Sequence, residues 1–163
     1  MEITLKIIVL YIAILLTGLS AGLFYAWQVS VIPGTKLTQD STYIETMQKI
    51  NRAIINPPFM LIFLGSLLIQ ILSVILYWNT EMSLWLILSA TLVYGAGTII
   101  VTGLGNVPLN DALDELHLDD LRQDEISKER HDYEVPWNRL HLIRTAFAVL
   151  SFMLLLAAAF STS

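Results

Sequence analysis

Along most of this chain apolar positions do not alternate with polar ones. They run together in four long stretches, separated by three connections of unequal length. A helix rises about 1.5 Å per residue, so roughly 20 apolar residues cross a hydrocarbon layer of about 30 Å. The stretches predict spans over about 5–32, 57–78, 83–104 and 136–160. The first is too long, and too aromatic at its end, for a cleavable signal peptide, despite a weakly cleavage-like Ser20-Ala21-Gly22, and is expected to be retained. Pro33-Gly34 ends it, and the second begins behind Asn56-Pro57-Pro58, where prolines occupy a first turn without losing a needed donor. Asn79-Thr80-Glu81-Met82 leaves room only for a tight hairpin, which makes spans two and three antiparallel neighbours. The pattern predicts an all-α protein, a single integral membrane domain over 1–163. Its architecture is a four-helix transmembrane bundle with short amphipathic helices in the two long connections.

In the first long connection, Thr42-Tyr43-Ile44-Glu45 reads as a capping box that starts a helix. Tyr43, Met47, Ile50 and Ile54 then recur at helical spacing, opposite Gln48, Lys49 and Arg52, which predicts a helix lying along the interface. It is either a plain connector or, through Glu45, Gln48, Asn51 and Asn56, a polar lid. After the third span, Asn106-Val107-Pro108-Leu109-Asn110 leads into Leu109, Leu113 and Leu116, a second short amphipathic pattern that Asn106 is placed to cap. Asn110 lies four residues on, so two amides project towards one spot.

Composition supports the membrane reading: 55% of residues are apolar and 14% charged. Lys36, Lys49, Arg52, Arg122, Lys128, Arg130, Arg139 and Arg144 fall in or beside the two long connections, and only Lys6 lies near the opposite face. Positive residues stay on the cytoplasmic side, so both termini are expected outside the cytoplasm, in the plasma membrane. Trp27 and Trp137 mark the inner interface, and Tyr77, Trp78 and Trp85 the outer one. The net charge of -5 comes mainly from ten acidic residues between Asp111 and Glu134, facing three basic ones, which argues against nucleic-acid partners. Cysteine is absent, which removes disulfides and thiolate chemistry. His117, Asp119, Asp120, His131, Asp132 and Glu134 are hard ligands, but their spacing matches no specific site, and a solvated acidic surface is the expectation instead of a metal. The lipid bilayer is the expected partner, with homo-oligomerisation left open.

The densest chemistry lies in Trp137-Asn138-Arg139-Leu140-His141-Leu142-Ile143-Arg144. Asn138, His141 and Arg144 follow at intervals of three and fall broadly along one helix stripe. Arg144 lies roughly 10 Å inside the fourth span. Facing lipid would cost an arginine roughly 2.5–3.5 kcal/mol, so an inward position competes with snorkelling to the interface. Gly18 and Gly22 form a small-xxx-small pair, Gly95 and Gly97 punctuate the third span, and Tyr25, Gln28 and Tyr94 are polar groups able to border a pocket. No phosphate-binding glycine loop, dinucleotide fingerprint or nucleophile elbow is present, which argues against a nucleotide-driven mechanism.

Several pieces occur in order: Gly22-Leu23-Phe24-Tyr25-Ala26-Trp27 leading to Val31-Ile32-Pro33-Gly34; Met47-Gln48-Lys49-Ile50-Asn51-Arg52-Ala53-Ile54 with Asn56-Pro57; Asn106-Val107-Pro108-Leu109-Asn110; and the basic start of the fourth span. In these the chain resembles the anthrone oxygenase-like membrane family, also catalogued as a domain of unknown function. It departs from that family's frequent Trp-Asn-x-x-Arg, having His141-Leu142-Ile143-Arg144 at the equivalent spacing and Trp137-Asn138 one turn earlier. The resemblance implies a cofactor-independent oxygenation of a hydrophobic polycyclic phenol, such as an anthrone oxidised to an anthraquinone. It implies His141 as general base and Arg144 as oxyanion holder. Asn106, Asn110, Asn138 and Asn51 would orient the substrate, and Trp137 and Tyr25 would stack on it. Two alternatives belong to other classes: a noncatalytic membrane scaffold or binding protein, and a haem-binding redox protein or small-molecule carrier with His141 as axial ligand.

Overall fold

The computed structural model describes residues 4–161, which are helical almost throughout and contain no strand. Four helices are long and apolar enough to cross a bilayer: α1 (Leu5–Thr35), α3 (Pro57–Leu76), α4 (Glu81–Asp114) and α5 (Gln123–Ser161). They mark an integral membrane protein. Helix α2 (Asp40–Ala53) fills the first long connection, and a single 3-10 turn, Leu118–Asp120, lies in the last.

The spans are where apolar length puts them, but three of the four helices run further than predicted. Pro33-Gly34 does not end α1, which winds on to Thr35 through a π-helical turn, Trp27–Val31. Helix α4 likewise passes through π-helical turns at Gly95–Ile100 and Thr102–Asn106 and continues to Asp114, so the second amphipathic segment is its extension, not a separate helix. Two of these wide turns end two residues before a proline, Pro33 and Pro108. Proline lacks the N–H that α-winding needs, and its ring collides with the carbonyl four residues back; a wider turn relieves both. Helix α5 starts at Gln123, thirteen residues before the predicted 136, and carries part of the acidic connection as helix.

Helix α1 packs against α3 and α5, and α4 against α3 and α5, closing a four-membered ring. On α3 the polarity is inverted. The face of α3 turned outward carries Leu61, Leu64, Leu68, Ile71, Leu72 and Ile75, whereas its buried face is Phe63, Ser66, Gln70 and Ser73. Gln70 donates to Thr17 (2.9 Å), Tyr94 is hydrogen-bonded to Ser20 (2.8 Å) and donates to the Phe63 carbonyl (3.1 Å), and Ser151 donates to the Ala90 carbonyl (2.9 Å). In lipid, where burial of apolar surface gives helices no reason to associate, such bonds and close packing hold them together at about 0.6 kcal/mol per bond. Gly97 lets α4 close on α5, because a Cβ there would overlap the Phe147 ring. Gly18 presses on Phe152 in the same way, but Gly22 faces open space, so the two do not act as one packing pair.

Both described ends of the chain lie at one end of the bundle, where Ser83 meets Ser161 (2.9 Å) and Lys6 lies 5.3 Å from the Tyr77 ring. At the opposite, loop end α2 begins at Asp40 with Gln39 before it, so Thr42 and Glu45 are interior and form no capping box. Glu45 pairs with Lys49 instead. The buried stripe of α2 is Tyr43, Ile44, Met47 and Asn51, and it packs on protein, against Ile32, Leu113, Ile126, Tyr133 and Trp137, rather than along a lipid surface. Arg130 of α5 fastens this layer. It is 12% exposed, donates to Glu134 (2.9 Å), Asp40 (2.9 Å) and the Thr38 carbonyl (2.8 Å), and lies over the Tyr43 ring.

Candidate functional site

The loop-end half of the bundle encloses a polar cluster built on α5. Residues Tyr133, Trp137, His141, Arg144 and Thr145 are its buried stripe there, Tyr133, Trp137 and His141 following at intervals of four and both Arg144 and Thr145 lying one turn beyond His141. Trp137, rather than Asn138, is in line with His141: their rings stack with centroids 5.0 Å apart and 5° from parallel. Phe24 of α1 meets the His141 ring edge-on at 5.9 Å.

Arg144 points into the bundle and is 8% exposed, which decides against snorkelling. Its Nη2 and Nε donate to His141 Nδ1 at 2.9 and 3.1 Å, and Nη1 donates to Thr102 Oγ1 at 3.4 Å. The guanidinium carbon lies 4.8 Å from the Phe24 ring and 5.1 Å from Trp137. Among the described residues it pairs with no carboxylate. A buried cation without a counter-charge carries a heavy desolvation cost, which makes Arg144 a candidate to meet an anion or developing charge.

The hydrogen bonds fix the His141 tautomer. The Phe24 carbonyl only accepts, so Nε2 (3.1 Å) carries the hydrogen; the guanidinium only donates, so Nδ1 accepts. Both ring nitrogens are therefore occupied, and His141 does not fit an axial haem ligand as it stands.

The two asparagines of α4 do converge, on Trp137. Asn106 donates to its carbonyl (3.3 Å) and Asn110 accepts from its indole N–H (2.8 Å) and from the Tyr133 hydroxyl (3.0 Å). Asn106 is buried inside the continuous helix and makes no side-chain cap, contrary to the sequence expectation. Asn51 of α2 donates to Tyr133 (3.3 Å) and Gln48 to the Leu113 and Leu116 carbonyls (2.8 and 3.0 Å). These two close the loop end, while Glu45 is exposed and Asn56 caps α3 through the Phe59 amide (2.9 Å). Asn138 is half-buried beside the stripe. Tyr25 is outside the cluster: it is 58% exposed on the outer face of α1 and reaches none of the other candidates.

Three buried amide oxygens on these elements, of Gln28, Asn106 and Asn138, lack a donor among the described residues. A buried acceptor left unpaired costs about 1–3 kcal/mol, so each calls for a ligand or water hydrogen. Below the cluster a hollow of about 120 Å³ opens between α4 and α5, lined by Leu109, Ala112, Leu113, Leu116, Glu129, Asp132 and Tyr133. No three His, Asp or Glu among the described residues converge as a metal-binding group.

Phe24, Thr102 and Tyr133 are site residues that sequence reasoning missed. Tyr133 stands four residues before Trp137 on the same stripe, and Phe24 lies within the 22–27 segment of the resemblance, but neither carried a role there. Thr102 and Phe24 depend on tertiary contacts between helices distant in sequence.

No curated protein and no solved structure matched the chain. The anthrone oxygenase family matches residues 47–154, more than half of the chain, taking in Asn51, Asn106, Asn110, Trp137, Asn138, His141 and Arg144 but not Phe24. With that match, the chain belongs to the anthrone oxygenase family.

Proposed function

We propose that this protein is a membrane-embedded, cofactor-independent oxygenase of an enolisable polycyclic phenol of the anthrone type. The observation that carries the reading is Arg144: a buried guanidinium with no carboxylate partner among the described residues, flanked by the Phe24 and Trp137 rings. A flat phenol deprotonated at its acidic carbon or at oxygen would supply the missing charge, and its hydroxyls would supply donors for Asn106, Asn138 and Gln28. His141 takes the proton and Arg144 holds the oxyanion. Asn110 and Asn51 act indirectly, by holding Trp137 and Tyr133 in place. The electron-rich anion then reacts with molecular oxygen, which dissolves more readily in hydrocarbon than in water. One oxygen atom becomes the new carbonyl and the other leaves as water with the two hydrogens of the oxidised carbon, so the sum needs no further reductant. The distribution of lysine and arginine supports an orientation with both termini outside the cytoplasm, which we assign to the plasma membrane.

One observation favours a second reading, a noncatalytic bundle. Every nitrogen of the His141 ring is already bonded within the protein, as a purely structural pin would be. Oxygen uptake with 1,8-dihydroxyanthrone separates the two. The oxygenase consumes oxygen and forms the anthraquinone, with His141→Ala and Arg144→Ala strongly impaired; turnover equal in all three proteins, or none in the parent, rejects the assignment.

A further inference from the structure

A base needs a free lone pair, and His141 has none: Nε2 holds a hydrogen directed at Phe24, and Nδ1 receives two donors from Arg144. We infer that Arg144 is a ligand-released latch on His141, so that an oxygen-bearing ligand frees the base as it binds. This rests on the oxygenase reading for the chemistry that follows, but the latch itself is a property of the pair.

A neutral imidazole nitrogen offers a guanidinium no opposite charge, whereas an oxyanion adds that charge and can accept two parallel N–H bonds. Nothing negative among the described residues competes for Arg144. Phe24 and Trp137 flank the guanidinium without bonding its N–H groups, and Thr102, at 3.4 Å from Nη1, offers a contact to pivot on. Once the guanidinium turns to the ligand oxygen, Nδ1 faces the ligand unoccupied. The acidic C–H or O–H bond of the ligand then breaks and its proton bonds to Nδ1. The electron pair remains on the ligand as enolate or phenolate beside Arg144, and the imidazolium keeps its Nε2–H on Phe24. No oxidant is consumed in this step. A bound ligand thus unmasks the base, and an empty site holds it closed.

The test uses the full chain in lipid nanodiscs with nitrogen-15 histidine. Three histidines are present, His117, His131 and His141, and His141→Gln assigns the last. Two probes are added under argon: 1-naphthoate, which carries an anion but no acidic carbon, and 1,8-dihydroxyanthrone. The expected result is a shift of Nδ1 of His141 away from its hydrogen-bonded position with naphthoate, and conversion to a protonated nitrogen with the anthrone. In Arg144→Gln the released Nδ1 position should be present before any probe, and naphthoate should not move it further. Saturating probe, followed by tryptophan fluorescence, that leaves Nδ1 unchanged overturns the latch. Oxygen uptake by the same preparation then stands or falls separately: uptake without movement keeps the oxygenase and removes the latch, whereas movement without uptake does the reverse. Binding of neither probe removes both.

Discussion

The ring of Trp137 lies flat against that of His141, four residues further along α5, and the indole N–H is held by Asn110 of the neighbouring helix α4. The orientation of the imidazole is thus set partly from another span. Replacing Asn110 with leucine leaves the Trp137 and Tyr133 donors buried without an acceptor, at about 1–3 kcal/mol each. Asn110→Leu should therefore lower the thermal unfolding midpoint in detergent and reduce oxygen uptake, while Asn110→Asp, which keeps the acceptor, should lose less of both.

Arg144 should behave oppositely for stability and for activity. Removing a buried cation that pairs with no carboxylate among the described residues recovers a desolvation cost on the order of several kcal/mol, which outweighs about 1–3 kcal/mol for the His141 Nδ1 acceptor left without a donor. Arg144→Met is expected to unfold at the parent temperature or above it, with oxygen uptake reduced about 10²–10³-fold, the loss typical of removing an oxyanion donor. Calorimetry beside an oxygen-electrode assay checks both; a large fall in stability would mean that the guanidinium is chiefly structural.

Arg130 is the counter-example, a cation with partners on two elements. Its bonds to Asp40 and to the Thr35, Lys36 and Thr38 carbonyls tie the segment after α1 to the extension of α5. Arg130→Gln should cost about 2 kcal/mol, as expected for charge-assisted bonds that are mostly shielded from water. Hydrogen exchange should quicken in 36–43 and stay unchanged in the middle of α3 and α4.

Alkaline pH should act on the same layer through Tyr43. Burial, together with the nearby Glu134 carboxylate, pushes its hydroxyl pKa above the ordinary value near 10. The folded state therefore keeps a proton that the unfolded state gives up, so this contribution to stability is complete below about pH 10 and declines above it. Unfolding followed from pH 8 to 11 should show less alkaline loss in Tyr43→Phe than in the parent, after correction for its own starting stability.

The spans were legible because lipid imposes length and apolarity on them directly, and the inward turn of Arg144 was one of two orientations that its depth allowed. The convergence of Asn106 and Asn110 followed from their spacing on one helix. Less legible was everything set by winding. A stripe read at regular spacing put Asn138 beside His141, where Trp137 actually stacks, and took Tyr25 for a site residue although α1 turns it outward. The apolar face of α2 was read as lipid-facing because sequence shows that a face is apolar, not what covers it. Its cover is the extension of α5, whose charged sequence looked like a solvated loop.

The wide turns ahead of Pro33 and Pro108 give the site a dependence that no side-chain inventory reveals. Each extra residue within a turn rotates all that follows by about 100°. Regularising Thr102–Asn106 to α-winding at unchanged chain length, by replacing Pro108, would swing Asn110 out of reach of the Trp137 indole while leaving every polar residue present. The phase of the backbone, as much as the identity of the amides, is what a relative would have to inherit to keep this constellation.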